Sequence, residues 1–441
     1  MDFFNEYRAK LRRPEEAVQV IKDGDWVDYG AASAKPTILD RALAKRRDEL
    51  HDVKVRGCLL DGPIQVAECD PTQEHFVYHT WHCSAYERKL CDKGLCYFTP
   101  MVFHNMAAYY HFFINVDVAM ISVTPMDKHG FFGFSIHTGT SAAILRKAKI
   151  VILEVNESLP RVRGGFDDCI HISDVDYIIE GYHEEFRERV RRAPTKTEQK
   201  IAENILPYLV DGSTIQIGVG GMPDAVGSLL AKSDLKDLGM HTELCSDAYL
   251  DLYEAGKLTG RGKQSYREKH ILGFAIGSPR LYEWLDDNPS IQAFPLDYVN
   301  NPSVIGEIEN MVSINSCISV DLYGQVSAES VGTRQISGTG GQLDFLEGAS
   351  ISRGGKSFIC MKSSFVDADG VRKSCILPHF AGDIITSPRS QVYYIATEYG
   401  VVNMEGASSW ERAERLISIA HPDFRDELIR EAEKLKIWRK H

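Results

Sequence analysis

One stretch of the chain, TIQIGVGGMPDAVGSLLAK at residues 214–232, joins a β-rich run to a glycine turn and a helix. Pro223 suits the first turn of that helix, where its missing N–H would have no partner in any case. The same alternation recurs at residues 141–160, SAAILRKAKIVILEVNESLP, where a helix end precedes a strand. LGMHTELCSDAYLDL, at residues 238–252, predicts a strand and then a helix, with Glu243 between them. Strands that alternate with helices usually pair in parallel, so the sequence predicts an α/β fold of two similar open domains with mostly parallel sheets.

A charge-dense segment near residues 185–197, within EEFRERVRRAPTKTEQK, contains a single proline and no apolar run. Such a composition is typical of an exposed linker. We therefore predict an N-terminal domain at residues 1–190 and a C-terminal domain at residues 196–441. Each begins with a strand, a glycine-containing turn and a helix, which reads WVDYGAASAKPTILDRALAK in the first and TIQIGVGGMPDAVGSLLAK in the second. This similarity favours a duplicated α/β unit.

The overall charge narrows the range of partners. The 441-residue chain has a formal net charge of −12, which argues against nucleic acid and anionic membranes, since both require a basic face. No apolar run reaches the ~18 residues of a membrane span, and the N-terminus lacks the pattern of a secretory signal, so we expect a cytoplasmic protein. The 10 cysteines include no C-x-x-C pair, and the His and Cys spacings match no ligand motif. We therefore expect reduced thiols and no bound metal.

The glycine loop at residues 218–221 leaves three interpretations open. Its backbone amides could bind an anion at the N-terminus of the following helix. A dinucleotide site requires G-x-G-x-x-G, but Pro223 occupies the third glycine position, although Glu243 stands about 20 residues on, where such a site places an acid. A tight turn without any ligand fits as well. A second cluster, at Gly340 and Gly341, favours acyl chemistry, because backbone N–H groups from two loops can face one carbonyl oxygen.

Several longer motifs occur in order along the chain: GVGGMPDAV, HTELCSD, NSCISVDLYGQV, SGTGGQLDF, SPRSQVYYIATEYGVVNMEG and IAHPDFR. In this order they resemble the class I coenzyme A transferases, and within them the acetyl-CoA hydrolase/transferase family, in its 4-hydroxybutyrate and butyryl-CoA:acetate branch. TPMDKHGFFGF and AKIVILEVNESLPRV are similar to the N-terminal domain of that family. The resemblance covers nearly the whole chain, and it implies an active site in the cleft between the two domains.

The resemblance also implies roles for individual residues. Glu243, in the HTE segment, is the expected nucleophile, and Gln216 is expected to orient it. Glu398 is expected to be a second active-site carboxylate, although it could instead be a buried structural acid. Asn315 matches a substrate-contacting asparagine or else caps a turn, and Ile318 is expected to offer its backbone to coenzyme A. The two glycine loops are expected to hold the coenzyme A thioester through Gly218, Val219, Gly220, Gly221, Met222, Pro223, Asp224, Gly340 and Gly341.

The implied reaction moves coenzyme A between a short-chain acyl-CoA and a carboxylate, by a ping-pong route through a glutamyl-CoA thioester. Coenzyme A is then a substrate, no cofactor is permanently bound, and a homodimer or a dimer of dimers is expected. The loop DYGAASAKP lacks the repeated glycines often found there in the family, so the acid stays open among acetate, butyrate, 4-hydroxybutyrate and propionate. The alternatives are an acyl-CoA hydrolase at the same site, a nicotinamide-dependent dehydrogenase and a non-catalytic effector-binding module. The missing third glycine argues against the dehydrogenase.

Overall fold

The computed structural model describes residues 3–183, 192–218 and 220–439. Residues 185–191 of the predicted linker lie outside these ranges. The described chain divides into two compact units. The first unit holds residues 3–183 and 271–299, and the second holds residues 192–218, 220–270 and 300–439. The chain thus leaves the second unit after residue 270 and returns to it at residue 300.

The N-terminal part of the chain alternates strands with helices. Its strands are β1 (Trp26–Ala31), β2 (Val53–Cys58), β3 (Phe76–Thr80), β4 (Tyr97–Phe98), β5 (Val118–Val123), β6 (Phe131–Gly133), β7 (Ile150–Val155), β8 (Cys169–His171) and β9 (Tyr177–Glu180). Its helices are α1 (Phe3–Lys10), α2 (Pro14–Ala17), α3 (Thr37–Ala44), α4 (Gln65–Cys69), α5 (Ala85–Asp92), α6 (Met106–Phe112) and α7 (Thr138–Lys147). Single 3-10 turns lie at Val18–Val20, Ala32–Ala34, Arg47–Glu49, Phe103–Asn105, Ser135–His137 and Ile172–Asp174.

The main sheet of the first unit has 7 strands in the order β4-β3-β2-β1-β5-β7-β9. Every pairing in this sheet is parallel. Parallel strands that are covered on both faces are apolar along their length, and β5, with the sequence VAMISV, is buried at every position. The strand order reverses its direction between β1 and β5.

The rest of the chain continues the alternation. Residues 192–270 form α8 (Lys196–Ile205), β10 (Thr214–Ile217), α9 (Gly221–Lys232), β11 (Gly239–Cys245) and α10 (Asp247–Glu254). The next segment adds β12 (His270–Ala275), α11 (Pro279–Leu285), β13 (Ile291–Ala293) and α12 (Leu296–Val299). The remaining strands are β14 (Met311–Ser316), β15 (Ser319–Asp321), β16 (Val326–Ser327), β17 (Ser330–Val331), β18 (Arg334–Gln335), β19 (Lys356–Cys360), β20 (Ser364–Val366), β21 (Arg372–Ser374), β22 (Ile376–Leu377), β23 (Tyr394–Thr397) and β24 (Gly400–Asn403). The remaining helices are α13 (Pro302–Gly306), α14 (Gln342–Ile351), α15 (Ser409–Ser418) and α16 (Pro422–Lys434), with 3-10 turns at Leu206–Tyr208 and Arg389–Gln391.

Within the second unit, the strands of the main sheet follow the order β11-β10-β14-β19-β23-β24. Its pairings are parallel except for the antiparallel edge pair β23–β24. The two units therefore confirm the predicted α/β fold with mostly parallel sheets. The strand order reverses between β10 and β14, where Gln216 pairs with Ser313. Open parallel sheets bind ligands at the carboxyl ends of the strands beside such a reversal, which draws attention to the loops after β10 and β14.

The helices in the described part of the chain are short. The longest of them, α16, has 13 residues, whereas a membrane-spanning helix needs about 20. None of the described helices is therefore long and apolar enough to cross a bilayer.

Candidate functional site

Glu243 lies near the carboxyl end of β11, in a strand whose other residues are buried. Its own side chain is partly exposed. The sequence predicted this strand and the helix α10 that follows it, and the structure confirms both. Cys245, two residues further on, is completely buried, which agrees with a packing role. The carboxylate at position 243 is thus the exception in an otherwise buried strand.

The side chain of Asn300, which is distant in sequence, links the Glu243 carboxylate to that of Asp344 within the second unit. Asn300 is 0% exposed, and its Nδ2 donates to Glu243 Oε2 at 2.6 Å. The same nitrogen donates to Asp344 Oδ2 at 3.2 Å. Asp344 is itself buried, in the first turn of α14. A carboxamide nitrogen carries two N–H groups, so Asn300 can serve both carboxylates at once.

Gly341 approaches the same carboxylate with its backbone. It is the N-cap residue of α14, and a Cβ placed on it would lie 1.8 Å from Glu243 Oε2 and 1.9 Å from Asn300 Nδ2. The Gly341 backbone also hydrogen-bonds the carboxylate. Gly340, the residue before it, has a φ of 58°, in the left-handed region that glycine adopts without strain. The second glycine loop therefore needs glycine at position 341, because any side chain would displace Glu243.

The surroundings of Glu243 raise its pKa to about 8. Burial is the largest cause, because a medium of low dielectric disfavours the charged form. The hydrogen bond from Asn300 lowers the pKa, the charge of Asp344 raises it, and the Gly341 backbone lowers it. At pH 7 roughly one tenth of the protein carries the ionised group. Once ionised, this carboxylate is more basic than that of a free glutamate.

Gln216 and Asn315 form a reciprocal amide pair at the strand reversal. Gln216 Nε2 donates to Asn315 Oδ1 at 3.1 Å, and Asn315 Nδ2 donates to Gln216 Oε1 at 3.1 Å. Both side chains are buried, on β10 and β14. Asn315 lies inside a strand, so it does not cap a turn. The pair joins the two strands from which the predicted binding loops leave.

The first glycine loop begins directly after β10. The Gly218 N–H donates to the Ile314 carbonyl at 3.0 Å, which ties the loop to β14. Gly220 has a φ of 123°, and α9 begins at Gly221. The first turn of α9 carries the next predicted binding residues, Met222, Pro223 and Asp224. Val219 lies outside the described residues.

Glu398 and Ile318 are engaged by other partners. Ser363 Oγ donates to Glu398 Oε1 at 2.6 Å, and the Ser363 N–H donates to Glu398 Oε2 at 2.9 Å. The Ile318 N–H donates to the Ser327 carbonyl at 2.9 Å. Within the described chain, the Glu398 carboxylate is therefore held by Ser363, whereas Glu243 is held by Asn300 and Gly341.

Asn300 and Asp344 were missed by the sequence reasoning. Asn300 stands in VNNPS, where the adjacent Asn301 is the N-cap of α13 and accepts a hydrogen bond from the Ser303 N–H. Asp344 stands in GGQLDF, where an acid in a first helical turn is ordinary. The local sequence at both positions is typical of a helix start, and nothing in it marks either residue as part of a functional site.

The chemistry that this arrangement can support follows from its donors. The residues after β10 and at the start of α14 offer backbone N–H groups to an anion or a developing oxyanion. Glu243 is a carboxylate within contact of one such group. In the part of the chain that the structure describes, no group of three or more His, Cys, Asp or Glu side chains is arranged to hold a metal ion. A carboxylate nucleophile beside backbone donors suits acyl transfer.

Comparison with known proteins gives full-length matches. Residues 1–231 match the acetyl-CoA hydrolase/transferase N-terminal domain, and residues 277–432 match the acetyl-CoA hydrolase/transferase C-terminal domain. A butyryl-CoA:acetate CoA-transferase of Anaerostipes caccae is 47% identical over 100% of this chain and 99% of its own length. A 4-hydroxybutyrate coenzyme A transferase of Clostridium kluyveri is 36% identical over 98% of this chain and 100% of its own length. The crystal structure of RipA from Yersinia pestis, 36% identical, superposes with a TM-score of 0.91 over 99% of this chain and 100% of RipA.

Proposed function

This chain belongs to the acetyl-CoA hydrolase/transferase family, and we propose that it transfers coenzyme A between a short-chain acyl-CoA and acetate or a similar carboxylate. The relatives named as butyryl-CoA:acetate and 4-hydroxybutyrate transferases support this choice. The observation that carries the proposal is the Glu243 carboxylate, held by the Asn300 amide and the Gly341 backbone at the end of a strand. This is the position of the nucleophile implied by the family motifs.

The reaction begins when the ionised Glu243 attacks the thioester carbonyl of the acyl-CoA. The C–S bond breaks, coenzyme A leaves as its thiolate, and an acyl-glutamyl anhydride remains. The thiolate then attacks the glutamyl carbonyl, the anhydride C–O bond breaks, and the first acid leaves as a carboxylate. The product is a glutamyl-CoA thioester. A second carboxylate attacks this thioester, and the same steps in reverse order yield the new acyl-CoA and free Glu243.

The symmetry of this exchange explains why the nucleophile is a carboxylic acid. The enzyme must hold coenzyme A on a group whose thioester is close in energy to those of substrate and product. A glutamyl thioester meets that condition, because it is itself the thioester of a simple carboxylic acid. A serine nucleophile would instead form an oxygen ester, which is too stable to return its acyl group to a thiolate easily. The identity of residue 243 therefore follows from the energetics of transfer.

Each addition step creates an oxyanion that needs hydrogen-bond donors. The Asn300 amide already donates to Glu243 Oε2, the atom that becomes an oxyanion when a nucleophile adds to the glutamyl carbonyl. The Gly341 backbone and the loop that contains Gly220 supply further N–H groups for the substrate carbonyl. Losing one donor of this kind typically costs about 10²–10³ in rate. Binding energy from the remote part of coenzyme A can also be used at the transition state.

We assign the remaining predicted residues to the binding of coenzyme A and the acid. The loop and first helical turn at residues 218–224, together with Gly340, would hold the thioester end. The Gln216–Asn315 pair would hold together the ends of β10 and β14 that carry this binding loop. The backbone near Ile318 would contact the coenzyme. Glu398 is the second carboxylate of the proposed site. By the same resemblance we propose a cytoplasmic homodimer or dimer of dimers, which light scattering after gel filtration would test.

A substrate panel tests the proposed function directly. The purified protein is supplied with butyryl-CoA and, in turn, acetate, propionate or 4-hydroxybutyrate, and the acyl-CoA products are resolved by mass spectrometry. We expect acetyl-CoA from acetate, and a loss of at least about 10³ in rate for Glu243→Ala, because the covalent route is removed. Glu254→Gln, on the exposed end of α10, is the control and should keep the wild-type rate.

Two results of the panel would contradict the proposal. Transfer at a near-normal rate by Glu243→Ala would exclude Glu243 as the nucleophile. Release of free coenzyme A at the same rate with and without an acceptor acid would indicate the hydrolase, the other activity in the family name. The comparison with acceptor omitted therefore separates the two activities at one site.

A further inference from the structure

One carboxamide nitrogen donates to two carboxyl groups in the second unit. Asn300 Nδ2 lies 2.6 Å from Glu243 Oε2 and 3.2 Å from Asp344 Oδ2. The other polar atom of this side chain, Asn300 Oδ1, is buried and has no hydrogen-bond partner among the described residues. The orientation of the amide is therefore decided by the two groups that face its nitrogen.

Glu243 alone would not fix that orientation. Burial raises the pKa of Glu243 to about 8, so at neutral pH much of the group carries a proton. A protonated carboxyl can donate to Asn300 Oδ1, just as an ionised one accepts from Nδ2, so with Glu243 as its single partner the amide could turn over. An ionised Asp344 only accepts, and its place in the first turn of α14 favours a negative charge. If the Asn300 amide turned over, its Oδ1 would face the Asp344 carboxylate, and both groups are acceptors.

We propose that Asp344 is a positioning residue for the transfer reaction, which keeps the Asn300 carboxamide turned with Nδ2 towards Glu243 through every covalent state of that residue. This inference rests on the proposed role of Glu243 as the nucleophile. The effect is greatest in the glutamyl-CoA thioester, which has no charge of its own to orient the amide. Asp344 then holds the N–H at the glutamyl carbonyl oxygen, where the next oxyanion forms.

The variant Asp344→Asn tests this role with almost no change in volume. An asparagine at position 344 can present either its oxygen or its nitrogen, so both orientations of Asn300 become possible. On the alkaline plateau, where Glu243 is ionised in both proteins, we expect kcat to fall about tenfold and KM for butyryl-CoA to stay within about twofold, because the amide contacts the glutamyl group and acts in the transition state. A general loss of packing would alter KM and kcat together.

A double-mutant cycle shows whether Asp344 acts through Asn300. The rates of the wild type, D344N, N300A and the double variant are compared on the alkaline plateau, where Glu243 is ionised. N300A should lose about 10² in kcat, since one donor is removed. Adding D344N to N300A should change kcat by less than about twofold, because the Asn300 amide through which Asp344 acts is already absent. A tenfold loss in both backgrounds would overturn the proposal.

Glu87 provides a matched control in the first unit. It is 0% exposed and occupies the corresponding first-turn position of α5, where it forms a capping box with Ser84. E87Q therefore also neutralises a buried acid at a helix start, and it should keep kcat within about twofold of wild type. A tenfold loss of kcat in E87Q would show that the loss in D344N reflects only the general cost of neutralising a buried acid at a helix start.

The remaining outcomes are also distinguishable. If D344N does not fold, as judged by its Tm, D344S replaces it in the cycle with the same expected results, because a hydroxyl also donates and accepts. If the wild type moves no coenzyme A, the proposed function itself is wrong. If the wild type is active and the two losses are additive, only the role of Asp344 is wrong.

Discussion

At the residue scale, the site depends on a balance at one carboxylate. Burial and the charge of Asp344 favour the protonated form of Glu243, whereas the Asn300 amide and the Gly341 backbone favour the ionised form. The result is a group that is mostly protonated at neutral pH and more basic than a free glutamate when it loses its proton. For the proposed nucleophile, this combines reactivity towards a thioester with a site that tolerates its neutral anhydride and thioester states.

The first prediction concerns pH. Because only the ionised Glu243 attacks, kcat/KM should rise about tenfold per pH unit below pH 8 and level off above it, reporting the free-enzyme pKa of about 8. The measurement is the initial rate of transfer at limiting acyl-CoA across this range. A profile that is already flat at about pH 6 would contradict the protonation state described here.

The second prediction concerns the approach of Gly341 to the Glu243 carboxylate. Gly341→Ala would place a Cβ 1.8 Å from Glu243 Oε2, so Glu243 must move, and we expect transfer to fall by at least about 10², as for a displaced oxyanion donor. Gly256→Ala is the control, because no atom lies within 4 Å of its added Cβ. It should lose some stability through its positive φ and keep its rate. Equal activity of the two variants would contradict the described contact.

At the scale of the elements, β11 carries the proposed nucleophile and is supported by a buried lysine. Lys263 is 4% exposed, and its Nζ donates to the Met240 carbonyl of β11 at 3.2 Å and to the Lys269 carbonyl at 2.9 Å. Burial lowers the pKa of Lys263 to about 7. The Lys263 side chain thus joins β11 to the turn that precedes β12.

The third prediction follows from that pKa. Between pH 7 and 10 the unfolded chain binds a proton at Lys263 that the folded chain does not, so the free energy of unfolding rises with pH. Relative to Lys263→Met, the wild type should gain on the order of 3 kcal/mol between pH 7 and 9.5. Urea unfolding at several pH values measures the difference. A difference independent of pH would show that the lysine stays charged when buried.

At the scale of the whole molecule, the two units repeat one strand order about a reversal, between β1 and β5 in the first and between β10 and β14 in the second. The chain completes the first unit only with residues 271–299. Within that unit, the ring centroid of Phe274 lies 6.2 Å from that of Phe103, and Phe294 lies 5.4 Å from Phe166. The later segment thus adds two buried aromatic rings, those of Phe274 and Phe294, to the first unit.

The fourth prediction is that residues 1–190 do not fold stably alone. Without residues 271–299 the fragment loses the buried partners Phe274 and Phe294, and burying one large aromatic is worth about 1.5–3 kcal/mol. Urea unfolding and limited proteolysis of the fragment would show a weak transition and early cleavage. Addition of a covalently linked copy of residues 271–299 should restore cooperativity. A fragment as stable as the full chain would contradict this assignment.

The sequence predicted the features that depend on neighbouring residues, and it did not predict the contacts between distant ones. The strand β11, the helix α10 and the glycine loops were predicted because their signals, periodicity and turn residues, are local, whereas the role of Glu243 was implied by the order of motifs along the whole chain. Asn300 and Asp344 were not predicted, because Asn300 contacts Glu243 across 57 residues and Asp344 across 44. The placement of residues 271–299 in the first unit was missed for the same reason. Contacts between residues that are far apart in sequence leave no pattern in the local sequence around either residue.

Trapping the covalent intermediate tests directly whether Glu243 is the nucleophile. The wild-type protein is incubated with butyryl-CoA and no acceptor, treated with borohydride or hydroxylamine, digested, and mapped by mass spectrometry. The account predicts modification of the peptide that contains HTELCSD at Glu243, with loss of activity in proportion to labelling. Turnover of acyl-CoA with an unmodified Glu243 peptide would contradict it.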